Sequence, residues 1–164
     1  MTIVRRFQAD DRFAVMTLAG RSGLFSESEL AYLESVVSAE AGPDDALWLV
    51  TGDDVVDGAV YVARDAMSDR VWNVLMLIVD PARQGVGLGQ ALMSAVEEAL
   101  AGTARLLLVE TSEGEGLEVA RALYPRCGYR EVARIPSYYG DGIGKIIFQK
   151  ALPRLAAVAG TDVA

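Results

Sequence analysis

Residues Pro81 to Met93 read P-A-R-Q-G-V-G-L-G-Q-A-L-M and follow the unbroken apolar run Val74 to Val79. Within Gln84-Gly85-Val86-Gly87-Leu88-Gly89 the three alternate glycines let the backbone approach a ligand closely, and the helix that follows has no internal partners for its first amides. Strand, glycine turn and helix N-terminus therefore make a cradle for an anion, and a pyrophosphate fits it. The turn lacks the Lys-Ser/Thr pair that a nucleoside-triphosphate loop needs, and Gln90 stands where G-x-G-x-x-G requires its third glycine. A plain glycine turn that lets a helix pack closely on a sheet is the alternative.

The inventory of side chains removes several chemistries. Histidine is absent from the chain of 164 residues, so Ser-His-Asp and Cys-His catalysis and histidine-ligated zinc are excluded. Cys127 is the only cysteine, which rules out an internal disulfide and a cysteine-rich metal site. No metal is expected. Nothing adjacent to Cys127 in sequence would lower its pKa, so it reads as helix-end packing rather than a nucleophile. A net charge of -8 argues against a nucleic-acid surface, although a local phosphate site remains compatible with it. With 52% hydrophobic residues the chain has material for one core. Met1 to Phe7 meets charge too early for a secretory leader, and the longest apolar run is too short to span a membrane, so a cytoplasmic protein without membrane partners is expected.

The elements that must position the cradle follow from hydrophobic period and punctuation. Thr2 to Phe7 reads as a strand, and a helix from Asp10 ends near Gly20 to Gly23. Ser26-Glu27-Ser28-Glu29 is a capping box, after which Leu30, Leu33, Val36 and Val37 recur at helical spacing to about Ala41. Ala46 to Thr51 and Gly58 to Arg64 form a hairpin around Gly52-Asp53-Asp54. Val71 to Val79 is continuously apolar save for Asn73, as in a central strand buried on both faces. Leu88, Leu92, Val96 and Ala99 stripe the helix after the glycine turn, and Arg105 to Thr111 supplies the parallel partner of a right-handed crossover. Leu117 to Arg126 is a helix that Cys127-Gly128 ends, and Tyr129 to Ile135 and Ile143 to Ala151 are closing strands. One domain over 1–152 and a mobile tail over 153–164 complete the expectation.

Two segments in order carry a family resemblance. Gln84, Gly87 and Gly89 occupy the defining places of Q/R-x-x-G-x-G/A, the pyrophosphate motif of the GNAT N-acetyltransferase superfamily, and Ala120-Arg-Ala-Leu-Tyr124-Pro-Arg-Cys-Gly128-Tyr129 resembles that family's A-x-x-F/L-Y-x-x-x-G-F/Y segment. With the element order, the resemblance covers about Thr2 to Leu152. It implies an α/β fold (α+β by some schemes) of GNAT type: a central, mixed, mostly antiparallel sheet with a parallel strand-helix-strand core and helices on both faces.

The resemblance also implies acetyl-CoA as co-substrate. The amides of Gly85, Val86, Gly87, Leu88 and Gly89 would meet the pyrophosphate, Gln84 and Gln90 would stand beside them, and the strand edge at Ile78 and Val79 would pair with the pantetheine arm. Tyr124 shares the stripe of Leu117 and Ala120; by resemblance its phenol protonates the departing thiolate, and the Val79 amide stabilises the oxyanion. A tyrosine that only packs is the other reading of Tyr124. At Asn73 many members carry an acidic residue, and at Leu117 many carry an asparagine that bonds pantetheine, so this chain departs at both. The general base stays open, with Glu110 a candidate. Phe25 and Glu29, beside Glu27, border the acceptor region, although the capping box alone accounts for Glu29 and a hydrophobic staple for Phe25. Tyr138-Tyr139-Gly140-Asp141-Gly142 reads as an acceptor-side loop or a plain turn.

The expected activity is direct transfer of acetyl to a primary amine of a small molecule or peptide. A CoA-binding regulatory module without catalysis, and a nucleotide-binding protein, are the rivals. The closing strands are compatible with a homodimer.

Overall fold

Seven strands and four helices appear among the residues described, 2–38 and 44–154, in a computed structural model of the chain. The strands are β1 (Val4–Arg6), β2 (Ala46–Thr51), β3 (Gly58–Arg64), β4 (Val71–Val79), β5 (Leu106–Ser112), β6 (Arg130–Gly140) and β7 (Ile143–Ala151). The helices are α1 (Arg12–Ser22), α2 (Glu27–Ser38), α3 (Leu88–Ala99) and α4 (Glu118–Arg126). The sheet order is β1-β2-β3-β4-β5-β7-β6, and every pairing is antiparallel except β4 with β5. Helices cover both faces as expected. The predicted end of α2 near Ala41 and the tail from residue 155 lie outside the described residues.

Two cores lie on opposite faces of this sheet. One joins Leu92, Met93 and Val96 of α3 and its C-cap Leu100 to Leu47, Leu49, Val60, Val62, Leu107 and Val109; the other joins Val15, Leu18, Leu33 and Val37 of α1 and α2 to Val50, Ala59 and Ile78. Strand alternation explains the division, because neighbouring residues of a strand point to opposite faces.

β4 breaks that alternation. Tyr61 pairs with Met76 but Val62 pairs with Val74, so Leu75 is an extra residue, a β-bulge. Before it Trp72 and Val74 face the α3 core; after it Met76 and Ile78 face the α1–α2 core, while Leu77 and Val79 take over the α3 side. The expectation that β4 is buried on both faces fails at Leu75, which is 52% exposed. A bulge bends its strand, and here the parallel ladder with β5 ends at Val74–Val109. From Leu75 onward β4 and β5 splay.

Two other expectations shift. Tyr138 and Tyr139 lie within β6 rather than in a loop, with the turn confined to Asp141 and Gly142; the β6–β7 register breaks between Ile135 and Gly140, and Ser137 carries φ 52°. The turn after β2 is longer than Gly52-Asp53-Asp54, because the β2–β3 ladder closes at Thr51–Gly58.

The start of α1 is fastened to β1. Asp11, 8% exposed, accepts from Arg5 Nη1 and Nη2 at 2.7 and 2.8 Å and from the Gln8 amide at 2.7 Å. The Arg5 hydrogen bonds, opposed by burial and aided by the Gln8 amide, hold the Asp11 carboxyl below its usual range. A depressed carboxyl stabilises the fold above the unfolded pKa of about 3.9 and loses that contribution as pH falls through the folded value. Asp11→Asn should cost about 2 kcal/mol in urea denaturation at neutral pH, and the gap to wild type should narrow below about pH 4.

Candidate functional site

The glycine turn has the geometry of an anion cradle. Gly85 and Gly87 sit at φ 81° and 90°, and a Cβ built on either meets nothing of the protein within 4 Å, so the backbone there faces open space. Gly87 is the N-cap of α3, the Ala91 amide makes the first helical bond, to Gly87 O, and the amides from Gly85 to Gln90 donate to no acceptor among the described residues. Gly89 serves a different end: a Cβ there would lie 2.9 Å from Leu123 Cδ2, so its bareness lets α3 approach α4.

The splay of β4 from β5 opens beside that cradle. On the α3–α4 side a cavity of about 290 Å³ is lined by Ile78, Val79, Gln84, Gly85, Gly87, Leu88, Gly89 and Gln90, among others. Of the residues expected there only Val86 is missing, and its side chain is 62% exposed. The peptide groups correct the expectation for Ile78. The Asp80 amide donates to Asp57 O on the β3 side, and in an antiparallel ladder alternate residues face alternate sides, so Ile78 is bonded toward β3. Leu77 and Val79 turn their peptide groups into the opening. Leu77 was missed because nothing in an all-apolar run marks which residues bond to which neighbour.

A second cavity, about 460 Å³, lies on the other side of the opening. It brings Phe25 of the α1–α2 connection, Glu29 of α2, Leu75 and Leu77 of β4, Glu110 of β5, Tyr124 of α4 and Tyr139 and Ile143 of the closing hairpin to one space. Leu24, Leu77, Ile78, Leu117 and Ala120 line both cavities, so the two meet at the splay. Asn73 lines neither; its Oδ1 is sealed from solvent without a partner.

Tyr124 lines the second cavity, one helical turn after Ala120 of the shared wall, and its place has a local cause. The Gly128 amide donates to Pro125 O and the Tyr129 amide to Tyr124 O, the two bonds of a Schellman cap, with Gly128 at φ 86°. That cap ties the last turn of α4, where Tyr124 is 4% exposed with its ring 5.4 Å from Phe148 and edge-on to Tyr129 at 6.4 Å. Its hydroxyl bonds to no described residue. Burial pushes the Tyr124 phenol above its ordinary pKa, so it keeps its proton at any working pH. Burial likewise raises the Cys127 thiol, with Glu97 adding and Lys150 opposing, which agrees with a packed thiol rather than a nucleophile.

Around the second cavity Glu29 and Glu110 have partners. Glu29 Oε2 accepts from the Ser26 amide at 2.7 Å and from the Ser26 hydroxyl at 2.8 Å, which together hold its carboxyl below the usual range. The capping box thus forms while Glu29 also borders the cavity. Glu110 Oε2 lies 2.5 Å from Lys145 Nζ. Lys145 was not foreseen: a lone charge in the apolar strand Ile143 to Phe148 carries no sign of its diagonal partner on β5.

The comparisons agree with this architecture. A family model described as an acetyltransferase (GNAT) domain matches residues 43–131. No curated protein matches the sequence. Among solved structures, a protein assigned to the GNAT family from Desulfovibrio desulfuricans superposes with TM-score 0.85 at 24% identity, over 93% of this chain and 100% of that one. The ribosomal-protein-S18-alanine N-acetyltransferase of Escherichia coli gives 0.75 at 20%, over 97% and 98%. An aminoglycoside 6'-N-acetyltransferase complexed with coenzyme A gives 0.73 at 16%, over 93% and 99%.

Because the Tyr124 hydroxyl has no protein partner, Tyr124→Phe keeps every ring contact and should change the unfolding free energy by less than about 0.5 kcal/mol. Urea denaturation monitored by circular dichroism tests this.

Proposed function

The chain belongs to the GNAT acetyltransferase family, and we propose that it moves an acetyl group from acetyl-CoA to a primary amine by direct attack. The observation that carries this reading is the splay between β4 and β5: the cradle cavity and the second cavity share walls there, and Tyr124 lines the second, one helical turn after Ala120, which lines both. A thioester reaching from one side and an amine from the other would come together there.

The residues fit acetyl-CoA. The free amides from Gly85 to Gln90, with Gln84 beside them, suit its diphosphate, and the peptide groups of Leu77 and Val79 suit its amide-bearing arm. When bound, the thioester supplies an activated acetyl carbon. Oriented dipoles at the helix N-terminus outweigh the distant, screened charge of -8. Leu117 offers no polar atom to that arm, a loss of about 1 kcal/mol that the other donors tolerate.

In the transfer the Val79 amide faces the opening and donates to the oxygen that gains charge. Tyr124 keeps its proton on Oη and presents it where the thiolate departs, and the proton that the attacking amine nitrogen gives up restores the phenol, so one N–H is exchanged for one S–H. Glu110 enters with Oε2 already engaged by Lys145, so it serves better to receive the acceptor than to carry away its proton. Phe25, Glu29, Leu75 and Tyr139 form the remaining acceptor wall. The relatives' acceptors, a ribosomal-protein alanine and an aminoglycoside, differ so widely that fold alone leaves both a small amine and a peptide amino terminus in play. Among the described residues no helix is long and apolar enough to cross a membrane, which suits a cytoplasmic enzyme.

Thiol release from acetyl-CoA, measured across a panel of amines and peptide amino termini, tests the reading. Release that depends on one acceptor class supports it; tight acetyl-CoA binding with no release to any acceptor would favour a regulatory CoA-binding module. Tyr124→Phe should lower kcat by about a hundredfold or more while calorimetry finds the acetyl-CoA Kd within about twofold of wild type. Gly87→Ala puts a methyl group into the cradle at φ 90° and should weaken acetyl-CoA binding about tenfold, read by the same titration.

A further inference from the structure

Lys145 is a buried lysine in a strand that does not need one. It is 6% exposed on β7, on the face opposite Ile146 and Phe148 of the α3 core. Removing an ammonium from water costs more than a surface ion pair returns, and well-packed apolar residues often replace buried ion pairs without loss of stability. Stability alone therefore does not account for this residue.

Its contacts point toward the acceptor cavity, which its own side chain does not line. Lys145 pairs in register with Ser112, and Glu110 lies two residues along β5 on the same face, within diagonal reach. The ammonium meets Glu110 Oε2 at 2.5 Å and sits 4.1 Å from the centre of the Tyr138 ring. Both contacts lead to cavity walls: Glu110 lines the cavity directly, and Tyr138 precedes Tyr139, which also lines it. The ladder between β6 and β7 breaks between Ile135 and Gly140, so Tyr138 and Tyr139 have no register partner on β7 to hold them. Burial pulls the Lys145 pKa down, yet the hydrogen bond and charge of Glu110, with the neighbouring tyrosines, leave it above its ordinary value. The charge stays on.

We propose that Lys145 is a positioning residue for the amine acceptor: one buried ammonium fixes the Glu110 carboxylate and the Tyr138–Tyr139 segment as a single wall of the acceptor cavity. The inference rests on the acetyltransferase reading above and adds to it which side chain sets acceptor affinity. Lys145 touches neither substrate. With Oε2 held, Glu110 offers its other oxygen to the incoming amine, and the cation–π contact stands in for the missing ladder bonds of the tyrosine segment.

The test uses the full chain and the acceptor that gives the fastest thiol release. Lys145→Met should raise KM for the amine about tenfold, with kcat within about threefold and the acetyl-CoA Kd within about twofold of wild type. Glu110→Gln should raise the same KM, and the Lys145→Met/Glu110→Gln double variant should be no worse than Glu110→Gln alone, because both remove one unit. Tyr138→Leu, which keeps the chain's charges, should raise KM about threefold and gives a reading even if Lys145→Met does not fold. An unchanged amine KM in Lys145→Met or Tyr138→Leu, effects that multiply in the double variant, or a loss confined to kcat would overturn the proposal while leaving the enzyme reading intact. A wild-type protein that binds acetyl-CoA but acetylates no amine would overturn both.

Discussion

The extra residue at Leu75 is the constraint on which the site depends. A sheet with an unbroken β4–β5 ladder would be closed, its two faces sealed from each other by backbone hydrogen bonds. The bulge changes which face each side chain of β4 takes, bends the strand, and coincides with the end of the parallel ladder at Val74. What results is a gap through the middle of the sheet, bordered by the unpaired peptide edge of Leu77 and Val79. Unpaired backbone in a strand is ordinarily a liability, since buried amides without partners cost free energy. Here the edge lines an open cavity, where it is free to bond a ligand that carries peptide-like groups.

The other parts of the site are arranged around that gap by local rules. The glycine turn ends β4 and starts α3, so its free amides lie beside the exposed edge, and the missing side chains of Gly85 and Gly87 leave the approach open. The Schellman cap at Gly128 sets the last turn of α4, and with it the depth of Tyr124. The phenol is consequently buried enough to stay protonated and near enough to the opening to meet a ligand. The far wall is built on other terms. It comes from the α1–α2 connection and the β6–β7 hairpin, two pieces distant in sequence; β7 is laddered to β5, but where the β6–β7 ladder breaks, the Lys145 ammonium joins Tyr138 of β6 to Glu110 of β5.

The elements and much of the cradle were legible in the sequence because their causes are local. Helical spacing, the Ser26–Glu29 capping box, the alternate glycines and the Gly128 cap each act within a few residues, and the structure contains all four. The misreadings share another cause. Val71 to Val79 looked uniformly buried because the run Val74 to Val79 around the bulge has no polar member to mark a change of face, so the bulge left no trace. Tyr138 and Tyr139 looked like loop residues because Gly140 and Gly142 flank the turn, yet a strand with a broken register runs up to it. Lys145 carried no signal, since the carboxylate that explains it lies on a strand paired through tertiary contact alone.

The sequence by itself determined the kind of molecule: a mixed sheet with a glycine cradle, without histidine and with one cysteine, placed in an acyl-transfer family by two ordered motifs. These follow from residue type and short spacing, and the chain carries them before it folds. Tertiary structure alone decided which peptide groups of β4 face the opening, that the two cavities share walls with Tyr124 lining the second, and that Glu110 is held by Lys145. Each of these requires strands remote in sequence to adopt a register, and register is set by the summed burial of both faces rather than by any residue read singly.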